Sequence, residues 1–460
     1  MTNKVDCLFI NPRDLIGADA YIKLANLAGV LNTKNITSEI IEPAASHVSH
    51  AQIMDTIRKK NPSIICVAAF PSTLHDAYVT INMIKDKFPD KTIILEGYHI
   101  NADPSILLHL NIPYGIRGDA EYSFAAFCES ILKGEKPSRD LPGLVLNENG
   151  ELKVNEPEVI RDIDALPLPA YDKLPIGNYY SASTNKTYMK LFTTRGCPYD
   201  CNFCASAPQM KYRWLSNDNV IKHLEVLVNK LGVQWVEFMD LTFTVSKKRT
   251  IEMCDAIIQS GITFDWGCET RADKIDEELV IKMKEAGCKK ITFGVESGSE
   301  KIRNQTGKRI SNGTFKTAFD LCRRHGVKTM ANFIFGHPNE TAEDMLETIN
   351  FARELKPFNV LFLRMVPLPD VEVYQQGVKN GEVEADVWLK YMRGEIGHPI
   401  YYPSTISKRE MDRLYNRAYL RFYMSAFAFK NYLPFIFDFG FMKKSLSIFL
   451  RMAFGKPVFK

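Results

Sequence analysis

Cysteine is scarce in this chain. Ten residues in 460 exclude the disulfide-dense scaffold of a small secreted domain. Long apolar runs are missing as well. No stretch reaches eighteen apolar residues, so no ordinary membrane-spanning helix is expected. The apolar part of the N-terminal MTNKVDCLFINP is too short for a signal peptide and is interrupted by Asp6. Net charge is low, only +4, and composition alone makes no case for nucleic acid. These absences make a reducing cytoplasm the expected compartment. Core material, in contrast, is ample: 45% of the residues are hydrophobic, enough for two or three domains.

The charge is unevenly placed. From Arg413 to Lys460 there are nine Lys or Arg against one acid, Asp438, so this tail is +8 and the remainder is acidic. Fourteen of the same 48 residues are aromatic. Arg413, Arg417 and Arg421 repeat at helical spacing, and Pro434 breaks the pattern. Two readings stay open. In one, the aromatics pack on the preceding domain and the cations face water. In the other, the tail lies on an anionic membrane surface or covers a lipid-like substrate.

Residues 1–140 alternate strand-like and helix-like segments. VDCLFINP, TSEIIEP, SIICVAAF, KTIILEG and IPYGIRGD read as five strands, with amphipathic helices between them. Continuous apolar strands of this kind predict a doubly wound parallel sheet, Rossmann-like, with its ligand crevice at the strands' carboxyl ends. Ser72 or Thr73 is placed to cap the helix after the third strand. Residues 141–188 are proline-rich and read as a linker with one hairpin, GLVLNENGELKV, turning at Asn149-Gly150. From 189 to 370 six longer βα repeats follow. Their strands are MKLFTTRG, QWVEFMD, TFDWGCE, KKITFGVE, KTMANFIFG and NVLFLRMVP, and they predict a partial (β/α)6 barrel of TIM type. Residues 371–460 form a mainly helical, basic and aromatic region.

The first barrel strand runs directly into RGCPYDCNFC. Cys197, Cys201 and Cys204 stand there at gaps of three and two. A partial zinc site would need a fourth ligand, and the next histidine, His223, sits in an amphipathic helix. A redox dithiol would need only Cys201 and Cys204. Three cysteines so spaced also suit a [4Fe–4S] cube, ligating three irons and leaving the fourth open. The other seven cysteines fall inside predicted strands or helices and are expected to be buried small hydrophobes. Cys268, beside a strand end, is the one to watch.

With Phe203 in its aromatic place, this stretch resembles the C-x3-C-x-aromatic-C signature of the radical S-adenosylmethionine (SAM) superfamily. The resemblance implies that the amino and carboxylate groups of SAM chelate the open iron. One electron then splits SAM to methionine and a 5′-deoxyadenosyl radical. It also implies SAM contacts at successive strand ends: Asp240 in FMDLTFT, Arg271 in CETRAD, Glu296 and Ser297 in GVESGS, and Gly336 in FIFGHPNET. Many relatives carry two acids at the second strand end, whereas here Leu241 follows Asp240.

The first domain resembles the cobalamin-binding domain of a large radical SAM subclass, through GYHINAD and GIRGDAEYSF. Tyr21, Ser72, Gly97, His99 and Glu121 are the implied corrin-lining residues. No Asp-x-His-x-x-Gly motif is present, and NPRDLIGADAY holds no histidine. Base-off cobalamin with no protein histidine on cobalt is therefore expected. The function implied is a cobalamin-dependent radical SAM enzyme, a C-methyltransferase acting on an unactivated carbon of a hydrophobic or natural-product-like substrate. The alternative within the family is radical cyclisation, oxidation or rearrangement, as in the anaerobic porphyrin cyclase, whose substrate is a tetrapyrrole. A non-catalytic cobalamin sensor or scaffold is the alternative of another class. The implied partners are a small molecule and an electron donor such as flavodoxin or ferredoxin, with no nucleic acid.

Overall fold

The computed structural model describes residues 4–13, 20–181, 184, 186–205 and 211–432. The chain divides into two compact units. The first comprises residues 1–191, 213–234 and 386–399, and the second comprises 192–212, 235–385 and 400–460.

In the first unit, β1 (Cys7–Ile10), β2 (Ser38–Ile41), β3 (Ile64–Ala68), β4 (Thr92–Glu96) and β5 (Tyr114–Ile116) pair in the order 2-1-3-4-5, all parallel. Every residue of β1 and β3 is fully buried, as a parallel sheet covered on both faces requires. Each such Leu, Ile or Phe contributes on the order of 2 kcal/mol by leaving water. Helices α1 (Ile22–Thr33) and α4 (Glu121–Leu132) share one core with these strands. The helices α2 (His50–Lys60) and α3 (Leu74–Lys87) complete the alternation. Thr73 is the N-cap residue of α3, but its hydroxyl does not cap the helix. It accepts the Phe70 N–H instead, at 3.0 Å. The strand order reverses between β1 and β3, which places the crevice of such a sheet at their carboxyl ends.

The hairpin β6 (Leu144–Glu148) and β7 (Glu151–Val154) turns at Asn149 (φ 56°) and Gly150 (φ 94°), the paired left-handed conformations that suit Asn-Gly. It is more than part of a linker. β6 pairs antiparallel with β5 and extends the sheet to seven strands. A second antiparallel pair, β8 (Tyr180–Ser181) and β9 (Lys186–Leu191), ends this part of the chain.

The second unit is built on β10 (Trp235–Phe238), β11 (Asp265–Thr270), β12 (Cys288–Glu296), β13 (Lys328–Phe335) and β14 (Asn359–Arg364), which pair in chain order, all parallel. The connecting helices are α5 (Lys247–Ser260), α6 (Glu277–Glu285), α7 (Asn312–Arg324) and α8 (Ala342–Leu355). Side-chain oxygens of Ser246, Asp276, Ser311 and Thr341 cap their N-termini. This is a curled, incomplete barrel holding five of the six expected strands, while the first expected strand, MKLFTTRG, begins within β9.

The basic tail begins as α9 (Lys408–Tyr423). Tyr419 is hydrogen-bonded to both the N–H and the C=O of Phe362 on β14, and the Arg364 guanidinium lies 4.3 Å over the Tyr415 ring. These aromatics pack on the barrel. Residues 433–460, including the break expected at Pro434, lie outside the described residues. Among the described residues no helix is long and apolar enough to cross a membrane.

One buried ion pair fixes the chain where it leaves the cysteine loop and rejoins the first unit. Arg213 bonds the Asp119 carboxylate and the Ile160 carbonyl, while Asp119 also accepts the Ile160 N–H at 3.0 Å. Removing one partner of such a pair leaves an uncompensated buried charge. Arg213→Met is expected to destabilise the first unit by about 3–5 kcal/mol, read as a lower midpoint in denaturant unfolding.

Candidate active site

The cysteine loop is entered through a network that buries a carboxylate. Asp240 follows β10 and is 1% exposed. Its Oδ1 accepts the N–H groups of Thr193 at 2.6 Å and Thr194 at 2.9 Å, and its Oδ2 accepts the Thr193 hydroxyl. Burial pushes the Asp240 carboxyl up, and these donors together with the Arg249 charge oppose that shift. Arg249, in the first turn of α5, donates to the carbonyl and hydroxyl oxygens of Thr193 at 3.2 and 2.9 Å. The carboxylate therefore holds the two residues that lead, three positions later, to Cys197. Cys197 Sγ lies 3.8 Å from the Thr242 hydroxyl.

The three loop cysteines are half-buried, whereas the other seven are fully buried, and none forms a disulfide. Cys268 is among the buried ones and interacts with Cys288. The Cys204 N–H donates to the Cys201 carbonyl at 3.1 Å. Gly307 approaches this turn: a Cβ there would come within 3.8 Å of the Cys201 Cα. Burial raises the Cys201 thiol, and Lys308 and Arg271 pull it back toward the thiolate. Among the described residues no three His, Cys, Asp or Glu side chains converge on one metal ion. A cube makes no such demand, because each thiolate meets a different iron. Three partly accessible thiols on one loop, near two cations, fit that group. His223 does not join them. Its Nδ1 is 2.8 Å from the Tyr171 hydroxyl, and burial lowers its pKa to about 4.

The predicted strand-end residues gather in the second unit. Arg271 forms a two-pronged bond to Asp273, with both contacts at 3.0 Å, and donates to the Lys308 carbonyl at 3.1 Å. Its guanidinium lies 4.0 Å over the Tyr199 ring, within the cysteine loop. β12 loses register with β13 between Gly294 and Glu296, and Glu296 adopts φ 68°. That conformation is costly for a residue with a Cβ. The bulge re-aims the side chain, and Glu296 meets Lys308 at 2.7 Å. Ser297 is buried against the Thr348 hydroxyl, 3.0 Å away. Gly336, at φ 94°, donates its N–H to Glu340 at 2.6 Å, and the His337 N–H reaches the same oxygen at 3.2 Å. Burial raises Glu340 to about 8. His337 stands edge-on to Phe203, 5.7 Å between ring centres, and both its ring nitrogens are buried without a hydrogen-bond partner.

The five residues expected to line a corrin lie at or just beyond strand ends of the first unit. The Tyr21 hydroxyl donates to Glu96 at 3.0 Å. Glu121, at the start of α4, pairs with Lys23 at 2.8 Å. Gly97 has φ 112°, and a Cβ there would lie 2.6 Å from the Ala69 carbonyl oxygen, so no other residue fits without moving the backbone. The Ser72 carbonyl accepts the Tyr391 hydroxyl at 3.2 Å. His99 is fully buried beside the Trp388 ring, 5.6 Å between centroids, and burial lowers its pKa to about 4.

Residues 386–399, which the sequence pattern assigns to the tail, therefore return to this edge. They also engage His75, whose Nδ1 is 2.9 Å from the Met392 carbonyl. The described edge leaves several buried polar atoms without partners: Glu96 Oε2, both nitrogens of His99, and Arg117 Nε. A ligand rimmed with amides, as a corrinoid is, suits such a set. Glu96, Thr193, Arg249 and His337 escape sequence reasoning. Only the acid closing the apolar strand TIILE gave a local signal.

A doubly wound unit, a partial βα barrel and a three-cysteine loop together define an iron–sulfur radical enzyme architecture. Residues 191–352 match the Radical SAM superfamily. An uncharacterized methyltransferase of Pyrococcus horikoshii is 29% identical over 87% of this chain and 87% of its own length. The anaerobic magnesium-protoporphyrin IX monomethyl ester cyclase of Rubrivivax gelatinosus is 28% identical over 90% of this chain and 75% of its own. The radical SAM methyltransferase TsrM of Kitasatospora setae, solved with cobalamin and a [4Fe–4S] cluster, shares the fold. Its TM-score is 0.69 at 16% identity, covering 90% of this chain and 82% of that one. Residues 191–352 are thus similar to the Radical SAM superfamily, and the fold of the chain is similar to that of a radical SAM methyltransferase solved with cobalamin.

Asp240 anchors the loop, and its replacement has a defined cost. Asp240→Asn retains one acceptor oxygen but turns an amide toward the Thr193 hydroxyl and strands the Arg249 charge. A loss of about 1–3 kcal/mol is expected, with lower iron and sulfide content after anaerobic reconstitution. Urea unfolding and elemental analysis check both.

Proposed function

We propose that this enzyme methylates an unactivated carbon of a hydrophobic or natural-product-like small molecule. In this reading Cys197, Cys201 and Cys204 hold a [4Fe–4S] cluster, and the first unit holds base-off cobalamin without a protein histidine on cobalt. When bound, the cluster supplies the electron that splits SAM, and cobalamin supplies a transferable methyl group. The observation that carries the reading is the pairing of an anchored loop of three half-buried thiols with a sheet edge rich in unmet buried polar atoms.

The residues then take these parts. Asp240, Thr193 and Arg249 set the loop's path. Arg271 and Lys308 provide positive charge beside the thiolates and the SAM carboxylate. Glu296 and Ser297 line the ribose, and Gly336 lets its backbone approach the adenine. Tyr21, Ser72, Gly97, His99 and Glu121 shape the corrinoid edge. An external donor, of flavodoxin or ferredoxin type, delivers the electron. The tail beyond residue 432 is left for peripheral contact with a membrane or an apolar substrate.

A second reading is favoured by the likeness to the Rubrivivax gelatinosus cyclase. In it the same radical performs cyclisation, oxidation or rearrangement of a tetrapyrrole-like substrate, and no methyl group moves. The test is anaerobic reconstitution with iron, sulfide and cobalamin, followed by methyl-labelled SAM and a reductant. Label recovered in the corrinoid fraction is the expected result. 5′-Deoxyadenosine without corrinoid labelling supports the second reading, and absence of both defeats the two together. Cys204→Ala is expected to remove cluster absorbance and SAM cleavage alike.

A further inference from the structure

The corrinoid edge contains a carboxyl group that the reading above does not use. Glu96 is the last residue of β4 and is 3% exposed. Its Oε1 accepts the Tyr21 hydroxyl. Tyr21 is itself held edge-on against Phe70, 4.4 Å between ring centres. Glu96 Oε2 is buried and has no hydrogen-bond partner. The nearest cation, Lys23, is occupied by Glu121.

Neither protonation state of Glu96 is satisfied within the protein. Ionised, it buries a charge with one strong side-chain donor, which desolvation penalises. Protonated, it presents an O–H with no acceptor. The groups facing it are Tyr21 and Lys23 at the start of α1, Cys66 on β3, Glu121 on α4, and the Gly97 N–H. Tyr21 and Cys66 are both raised well above their ordinary values by burial and stay neutral near pH 7. His99, at about 4, is also neutral there. None of these groups is hydrogen-bonded to Oε2.

We propose that Glu96 binds the corrinoid as a hydrogen-bond donor, its carboxylic acid O–H meeting an acceptor oxygen on the corrinoid periphery. The acceptor is an amide carbonyl of the ring or an oxygen of the nucleotide phosphodiester. This rests on the cobalamin reading and adds to it a residue and a proton. The site is built for the neutral acid, and a ligand that needs the O–H holds the proton in place.

Burial raises Glu96 to about 7 in the ligand-free protein. A ligand that requires the proton binds with constant affinity below that value and progressively more weakly above it. Affinity is expected to be about tenfold lower at pH 8 than at pH 6.

The test uses the full chain, in the dark, with methylcobalamin as probe, because its upper axial position carries no ionising water. Dissociation constants are measured by fluorescence quenching from pH 6 to 8.5. Wild type should weaken as stated. Glu96→Gln, whose amide donates at every pH, should bind with a flat profile near the wild-type low-pH affinity. Tyr21→Phe removes a bond that favours the ionised form and should move the fall to higher pH. Methylcobinamide, which lacks the nucleotide, identifies the acceptor: the fall persists if it is a ring amide and vanishes if it is the phosphodiester. Methylcobalamin binding with a flat wild-type profile, or an unchanged fall in Glu96→Gln, overturns the proposal and leaves the cobalamin reading intact. No binding at either end of the pH range overturns both.

Discussion

The three hydrogen bonds that Asp240 accepts from Thr193 and Thr194 govern where the cysteines stand. A carboxylate excluded from water must be met by donors, and here the donors are the chain segment that opens the loop. Arg249 closes the network by donating to Thr193 from the other side. Sliding the loop along the strand end would leave the Asp240 charge and the Thr193 and Thr194 N–H groups unmet. That constraint gives a solvent-accessible loop a defined geometry, without asking its own backbone to be rigid.

Much of the architecture was legible because the strands are short continuous apolar runs and the helices between them are amphipathic. Asn149-Gly150 announced its turn, and Gly97 and Gly336 announced tight backbone. The cysteine loop was legible from spacing alone. Three things were not. The hairpin β6–β7 looked like part of a linker because its alternation is weak, and pairing with β5 is a tertiary event. The roles of Thr193 and Arg249 depend on a buried partner more than forty residues from the one and nine from the other. Residues 386–399 carry no local mark of their destination, since Trp388 and Tyr391 would suit any apolar surface.

The inner face of the incomplete barrel also bears on chemistry. Glu237 pairs with Lys290 at 2.9 Å and takes the Trp235 indole N–H at 2.8 Å. Gly267 sits against both: a Cβ there would fall 2.9 Å from the Glu237 carboxylate and from the Lys290 chain. Two residues along, Glu269 is half-buried and reached only weakly by Asn332, at 3.5 Å. Burial raises its pKa, and so does the neighbouring Glu296. The helix-facing side of the same strands holds Trp266, Phe293, Phe333 and Phe362, all fully buried. The sheet thus separates a dry core that supplies stability from a charged interior that can order water or polar groups.

The first unit draws on three separate stretches of chain, the last being residues 386–399. The carbonyl of Ser72 and the rings of His75 and His99 receive their partners from that stretch. During synthesis, which proceeds from the N-terminus, this edge must wait until nearly four hundred residues have emerged. The sheet can assemble early, but its rim is finished only after the barrel residues between have been made. A polypeptide cut short within the barrel would carry a doubly wound domain with an open rim.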